Sequence, residues 1–188
     1  MDKISKKKRE ELEIRTCKEA ELDELMLLQE NIYKAMEQPD WFAVTSRDEN
    51  KRFFKEPNVV IGVYDQDKLI AYGTIGFLGD SPDNLGQDLG WTGEKVHRCA
   101  VLDTIVVDSR YRGLGLQREL IRRCVEYAAK KKPGCTVLAT VSPDNIYSLR
   151  NVQAEGFKIL ARKEKYGGKE RYILGKGVIT WDLDEEIS

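Results

Sequence analysis

No apolar run in this 188-residue sequence approaches the roughly 20 residues that a membrane-spanning helix needs, which excludes a helical span. Charge of one sign is not in surplus either: 31 Lys and Arg stand against 32 Asp and Glu, a net charge of -1. General affinity for nucleic acid or for an anionic membrane requires a large basic excess, so neither is an expected partner. The four cysteines, Cys17, Cys99, Cys124 and Cys135, have no CxxC or Cys/His spacing, and His97 is the single histidine. A zinc site and a disulfide framework are both disfavoured by that pattern, and no metal is expected. The thiols read as reduced core residues of a cytoplasmic protein.

Repeats, low-complexity tracts and Pro/Gly/Ser linkers are also missing, which points to one domain over residues 11–180. Residues 1–10 carry Lys3, Lys6, Lys7, Lys8 and Arg9 with no apolar segment behind them, so they read as a frayed basic start rather than a signal peptide. Residues 181–188, with Asp182, Asp184, Glu185 and Glu186, read as an acidic tail.

What is present is a steady alternation of hydrophobic periods. A short strand is expected at Leu12–Cys17. Leu22, Leu25, Met26, Ile32, Tyr33 and Met36 then fall at helical spacing before Pro39. A second helix is expected from Ser46 or Arg47 to Phe54, with Ser46 as N-cap. Asn58–Tyr64 and Leu69–Leu78 form a hairpin across the Asp65–Lys68 turn, and Gly79–Gly93 reads as a loop. A long strand from Lys95 to Val107 leads through the turn at Arg110–Gly115 into a helix, Leu116–Lys132, stopped by Pro133 and Gly134. Strand Cys135–Val141, helix Asn145–Glu155, and strands Phe157–Lys165 and Arg171–Gly177 complete the order. Antiparallel hairpins followed by a βαβ crossover predict an α/β (α+β) fold with a mixed, mostly antiparallel sheet flanked by helices.

The turn at Arg110–Gly115 is the most informative segment. Gly113 and Gly115 leave backbone N–H groups unshielded and permit positive φ. A helix N-terminus with unpaired N–H groups and a positive dipole end follows at once, a cradle suited to a pyrophosphate. Arg110 and Arg112 add positive charge. The P-loop pattern GxxxxGK[ST] is absent, and the dinucleotide fingerprint fails because Arg118 occupies the place of its third glycine. An ordinary glycine-rich connection is the alternative for this segment taken alone.

Arg110-x-x-Gly113-x-Gly115, after an apolar strand and before an amphipathic helix, resembles the [QR]-x-x-G-x-[GA] motif of the GCN5-related N-acetyltransferases. Asn145-x-x-Ser148 followed by Gly156-Phe157 resembles that family's second motif, N-x-x-[AS]…GF. The resemblance implies the acyl-CoA N-acyltransferase fold, with acetyl-CoA or coenzyme A as bound cofactor. It implies that Ile105, Val106 and Val107 pair their main chain with the pantetheine arm, a form of strand addition. Arg112, Gly113, Leu114, Gly115, Leu116 and Gln117 would then cradle the pyrophosphate. Asn145 would contact the pantetheine, Tyr147 and Ser148 would lie along its other side, and strands four and five would splay to admit the arm.

Attack on a thioester needs a neutral amine, so an alkylammonium must first lose its proton. Asp103 is the leading base: it interrupts a buried-looking strand four residues before Val107, where the family often has an acidic residue. A structural Asp bonded to a neighbouring segment is the other reading, and Glu94 and His97 are runners-up. A backbone N–H near Val107 is the natural oxyanion donor. The resemblance would have a Tyr at position 152 to protonate the thiolate, but the residue is Val152. Tyr147, or water, is left as the acid.

The expected reaction is transfer of acetyl from acetyl-CoA to a primary amine of a small molecule or peptide. A non-catalytic acyl-CoA sensor, and an acyltransferase for longer chains or alcohols, remain alternatives. The acceptor region, comprising the first two helices, Gly79–Gly93 and the last hairpin, carries no readable signature. Trp41, Phe42 and Trp91 are candidate pocket residues, and Asp80, Asp83 and Asp88 candidate attractors for a cation. A homodimer through the last strands is left open.

Overall fold

The computed structural model describes residues 9–178, so the acidic tail and all but the end of the basic start lie outside the described residues. A seven-stranded sheet with strand order β1-β2-β3-β4-β5-β7-β6 forms the centre. Its strands are β1 (Glu13–Thr16), β2 (Val59–Asp65), β3 (Lys68–Gly76), β4 (Cys99–Val107), β5 (Thr136–Val141), β6 (Lys158–Lys165) and β7 (Lys169–Gly177). Every neighbouring pair is antiparallel except β4 and β5, which run parallel across a helical crossover. The helices are α1 (Leu22–Lys34), α2 (Arg47–Arg52), α3 (Leu85–Asp88), α4 (Glu94–His97), α5 (Leu116–Lys131) and α6 (Ile146–Ala154).

The two faces of the sheet are covered by different parts of the chain. On one, Leu116, Leu120, Ile121, Cys124, Val125 and Ala128 of α5 bury against Val63, Ala71, Ala100 and Leu102. The predicted apolar stripe of that helix is therefore its buried face. On the other, Leu25 and Leu28 of α1 and Phe53 pack over Val60, Tyr64, Tyr72 and Val106. All four cysteines are buried and unbridged.

Local signals explain most boundaries. Ser46 caps α2 by accepting the Glu49 N–H, and Glu49 returns a carboxylate to the Ser46 N–H, a reciprocal capping box. The β2–β3 hairpin turns at Gln66, whose φ is +56°. Two expectations need correction. The strand leading to the glycine turn begins at Cys99, not Lys95, because Glu94–His97 forms a helical turn entered through Gly93 at positive φ. The Gly79–Gly93 segment is not plain loop, since it contains α3. Asn84 organises both features: its Oδ1 accepts the Gly86 N–H, while its Nδ2 donates to Gly79 O at 2.7 Å and Val96 O at 3.0 Å.

Candidate active site

The site begins with a defect in the sheet. Thr104 of β4 pairs with Thr74 of β3 and Leu102 with Ile75, leaving Asp103 as an extra residue, a β-bulge. The parallel pairing of β4 with β5 stops at Leu102 and Ala139. Beyond that rung β5 stays with β7, so the main chain of β4 from Asp103 to Val107 has an open edge toward β5. The expected splay between these strands is present, and Ile105, Val106 and Val107 line it.

A cleft of about 1020 Å³ runs through this opening. On the α5 side it is walled by Arg112, Gly113, Gly115, Leu116, Gln117 and Arg118. Gly113 and Gly115 have φ of +82° and +73°, and a Cβ placed on Gly113 would meet nothing within 4 Å. Gly115 caps α5 with no side-chain hydrogen bond, so the first-turn N–H groups and the positive end of a 16-residue helix face the cleft. Arg112 has no carboxylate within ion-pair distance among the described residues. Arg9 forms an ion pair with Glu119 at 3.3 Å and reaches the space over Gly115. Size, open cradle and polarity all fit a pyrophosphate-bearing cofactor with an extended arm.

The other expected cofactor residues divide. Gln117 donates to Ser148 Oγ at 3.1 Å and accepts from Asn151 Nδ2 at 2.7 Å, which ties the start of α6 beside the start of α5. Asn145 lines the cleft, but its Oδ1 caps α6 through the Ser148 N–H at 3.0 Å. Tyr147 stands at the cleft and is 77% exposed. Val152 is in the core, so no polar group stands at that position. Arg110 and Leu114 do not line the cleft: the Arg110 guanidinium is held by Asp108, and the Leu114 side chain is in the core.

Across the bulge lies the second half of the cleft. Asp103 Oδ2 accepts from Thr104 Oγ1 at 3.0 Å and from Thr45 Oγ1 at 3.5 Å, and the two threonine hydroxyls are 3.0 Å apart. Thr45 is fixed through its carbonyl, which accepts from Gln29 Nε2 at 2.7 Å and from Asn50 Nδ2 at 3.2 Å. Gln29 in turn accepts from the Tyr72 hydroxyl. Burial pushes the Asp103 carboxyl above its ordinary range, opposed by the Thr104 hydrogen bond and the Arg52 charge. By contrast, Glu94 and His97 line no part of the cleft, and His97 Nε2 sits 2.8 Å from Asp80 Oδ1 at the surface.

Trp41 and Phe42 line this half, whereas Trp91 packs beside Leu85 with Lys95 over its ring. Asp83 also lines it and is paired with Arg52, while Asp88 is taken by Lys165. Two residues here were not foreseen from sequence, Tyr166 and Arg171. The Tyr166 hydroxyl lies 3.1 Å from Thr140 Oγ1, and its withdrawal from water raises its pKa, with the Asp103 charge adding to the effect, while the residue as a whole stays partly exposed. Tyr166 precedes the Gly167-Gly168 turn and itself has φ of +52°. The last hairpin was expected beside the acceptor, and it does line the cleft; which of its side chains enter was not legible.

The sequence model described as the acetyltransferase (GNAT) family matches residues 22–157. No curated protein matches the chain significantly. Among solved structures, an acetyltransferase of the GNAT family from Streptococcus pneumoniae superposes with a TM-score of 0.68 at 18% identity, over 89% of this chain and 99% of that one. A putative acetyltransferase from Salmonella typhimurium, solved with its cofactor acetyl-CoA, gives 0.66 at 15% identity over 95% and 97%. The ribosomal-protein-S18-alanine N-acetyltransferase from Escherichia coli gives 0.67 at 15% identity, over 94% and 99%. At such identities the likeness establishes the fold alone.

Proposed function

The chain belongs to the acetyltransferase (GNAT) family, and we propose that it transfers acetyl from acetyl-CoA to a primary amine within a ternary complex. The observation that carries this reading is a single cleft with a helix N-terminus free of any side-chain cap at one end and a partly buried carboxylate at the other, joined through the β4–β5 opening. Acetyl-CoA supplies an activated thioester and binds in the Salmonella typhimurium neighbour.

In this reading the first turn of α5, with Arg112, Gly113, Gly115 and Gln117, holds the pyrophosphate. The open edge of β4 receives the pantetheine amides, and Asn145 and Ser148 flank the arm. Asp103 takes the proton of the incoming ammonium, and its raised pKa brings it closer to the working range of a general base. The amine nitrogen bonds the acetyl carbon as the carbon–sulfur bond breaks. The Val107 N–H, on the open edge, donates to the carbonyl oxygen. Tyr147 is one source of the proton for the departing thiolate and Tyr166 is another. Turnover rather than storage of acyl-CoA is favoured by the bulge, which aims Asp103 and Thr104 at the same threonine hydroxyl. The four unbridged thiols suit a reducing compartment such as the cytoplasm.

Calorimetric titration with acetyl-CoA tests the reading directly. The wild type should bind and Gly113→Trp should not, because the indole would occupy the open space beside the helix N-terminus. The variant should still fold, at a backbone cost of roughly 1–2 kcal/mol for a side chain at positive φ. A wild type that binds no acetyl-CoA would refute the proposal.

A further inference from the structure

Arg171 is the most deeply buried charged residue among the described residues. It lies on β7, is 3% exposed and lines the cleft. The protein supplies it with two backbone carbonyls and no carboxylate: Nη1 donates to Glu170 O at 2.9 Å and Nη2 to Asp40 O at 2.7 Å. No acidic side chain stands within 4 Å of it among the described residues, although Asp40 contributes a favourable field from farther away. Neighbouring cations are handled differently, since Lys165 is paired with Asp88 and Lys169 with Asp40. A guanidinium presents five donors, so two carbonyls leave it far from saturated. Burying such a group without an anion is costly, and native proteins normally supply one.

The strand registers put Arg171 on the face of the sheet that carries Asp103. Thr140 pairs with Ile173, and Arg171 lies two residues from Ile173 on the same side. Tyr166 lines the same cleft, with its ring 5.7 Å from the Arg171 guanidinium and its hydroxyl within the field of the Asp103 carboxylate. Arg52, also in the lining and paired through Nη1 with Asp83, has its Nε–H buried without an acceptor. The acceptor half of the cleft thus offers one carboxylate for an ammonium, and a buried, anion-deficient guanidinium on the same face.

We infer that the acceptor is a small amino acid with a free carboxylate, which docks on Arg171 while its ammonium faces Asp103. The inference rests on the acetyltransferase reading above and narrows its acceptor. A zwitterion satisfies both charges at once. A polyamine would set a second cation toward Arg171, and the N-terminus of a long peptide has an amide where the carboxylate is needed.

The test compares the common L-amino acids with their primary amides as acceptors at saturating acetyl-CoA, following thiol release. At least one acid should exceed its own amide in kcat/KM by about 10- to 100-fold, the range for hydrogen bonds to a charged group. Arg171→Gln should bring that ratio close to one while acetyl-CoA affinity by calorimetry is unchanged, and Arg171→Lys should restore part of it. Equal use of acids and amides, a preference for amides or peptides, or a ratio untouched in Arg171→Gln would overturn the inference. If no acceptor turns over, calorimetric titration of the same pairs into the CoA-loaded protein supplies the ratio, and binding of no acid overturns it as well. If Arg171→Gln does not fold, the wild-type ratio decides alone. Failure of the wild type to bind acetyl-CoA would instead remove the parent reading, so the two failures are distinguishable.

Discussion

Asp103 shows how one inserted residue changes the chemistry of a strand. Without the bulge, Asp103 and Thr104 would point to opposite faces; with it, both reach the Thr45 hydroxyl. The carboxylate is held by hydroxyls and not by a cation in direct contact, so burial dominates and its pKa is raised. A raised carboxyl favours the folded state below its ordinary value of about 3.9 and loses that contribution as pH rises through the folded-state value. Asp103→Asn should therefore be at least as stable as wild type at pH 7, with the difference shrinking in thermal melts near pH 4. The same variant should lose roughly 10²- to 10⁴-fold in kcat with acetyl-CoA affinity unchanged. A variant with full kcat would remove Asp103 from catalysis. The two phenols are separable at the same scale. Tyr147→Phe and Tyr166→Phe each remove one hydroxyl, and the acid is the one whose loss lowers kcat and moves the basic limb of the pH–rate profile.

At the scale of elements, the sheet edge and the first helix are fastened by one carboxylate. Glu21, at the entry to α1, accepts from Arg15 of β1 at 2.7 and 3.1 Å, from the Lys18 N–H at 2.6 Å and from the Tyr64 hydroxyl of β2 at 2.9 Å. The Arg15 bonds above all lower its pKa to about 2. The resulting stabilisation is complete above the ordinary Glu value of about 4.3 and is lost as pH falls through about 2. Glu21→Gln should cost about 1–2 kcal/mol at pH 7, a figure reduced because Arg15 is partly exposed to solvent. Melts of the two proteins should converge as the pH is lowered toward 2. A gap that persists there would mean that packing, not charge, is responsible.

At the scale of the molecule, the cleft is held by segments far apart in sequence. The β6–β7 hairpin is tied to the end of α3 at Asp88 through Lys165, and to the turn after α1 through Arg171 and Lys169. A ligand filling the cleft stabilises all of these at once. Acetyl-CoA at 100 times its dissociation constant should add about 2.7 kcal/mol, raising Tm by roughly 5–10 °C for a chain of this size. An unmoved Tm at that ratio would contradict binding to the folded state. The sequence alone singled out the glycine turn proposed to hold the cofactor, although it also nominated Arg110 and Leu114, which do not line the cleft. Gly113, Gly115 and the apolar stripe of α5 are local signals, carried by backbone freedom and a 3.6-residue period within one segment. The strand, turn and helix order was legible for the same reason, failing only where Asn84 and Gly93 wound the 79–98 stretch into helical turns. Tertiary structure decided the half of the cleft proposed to take the acceptor. Asp103 could be suspected from its place in an apolar strand, but its bulge is a mismatch between two strands and has no signature in either. Arg171 reads in sequence as one more charge on an edge hairpin. Only the fold buries it without an anion, on the face that bears Asp103, because burial and pairing are set by what other segments bring and not by the residue itself.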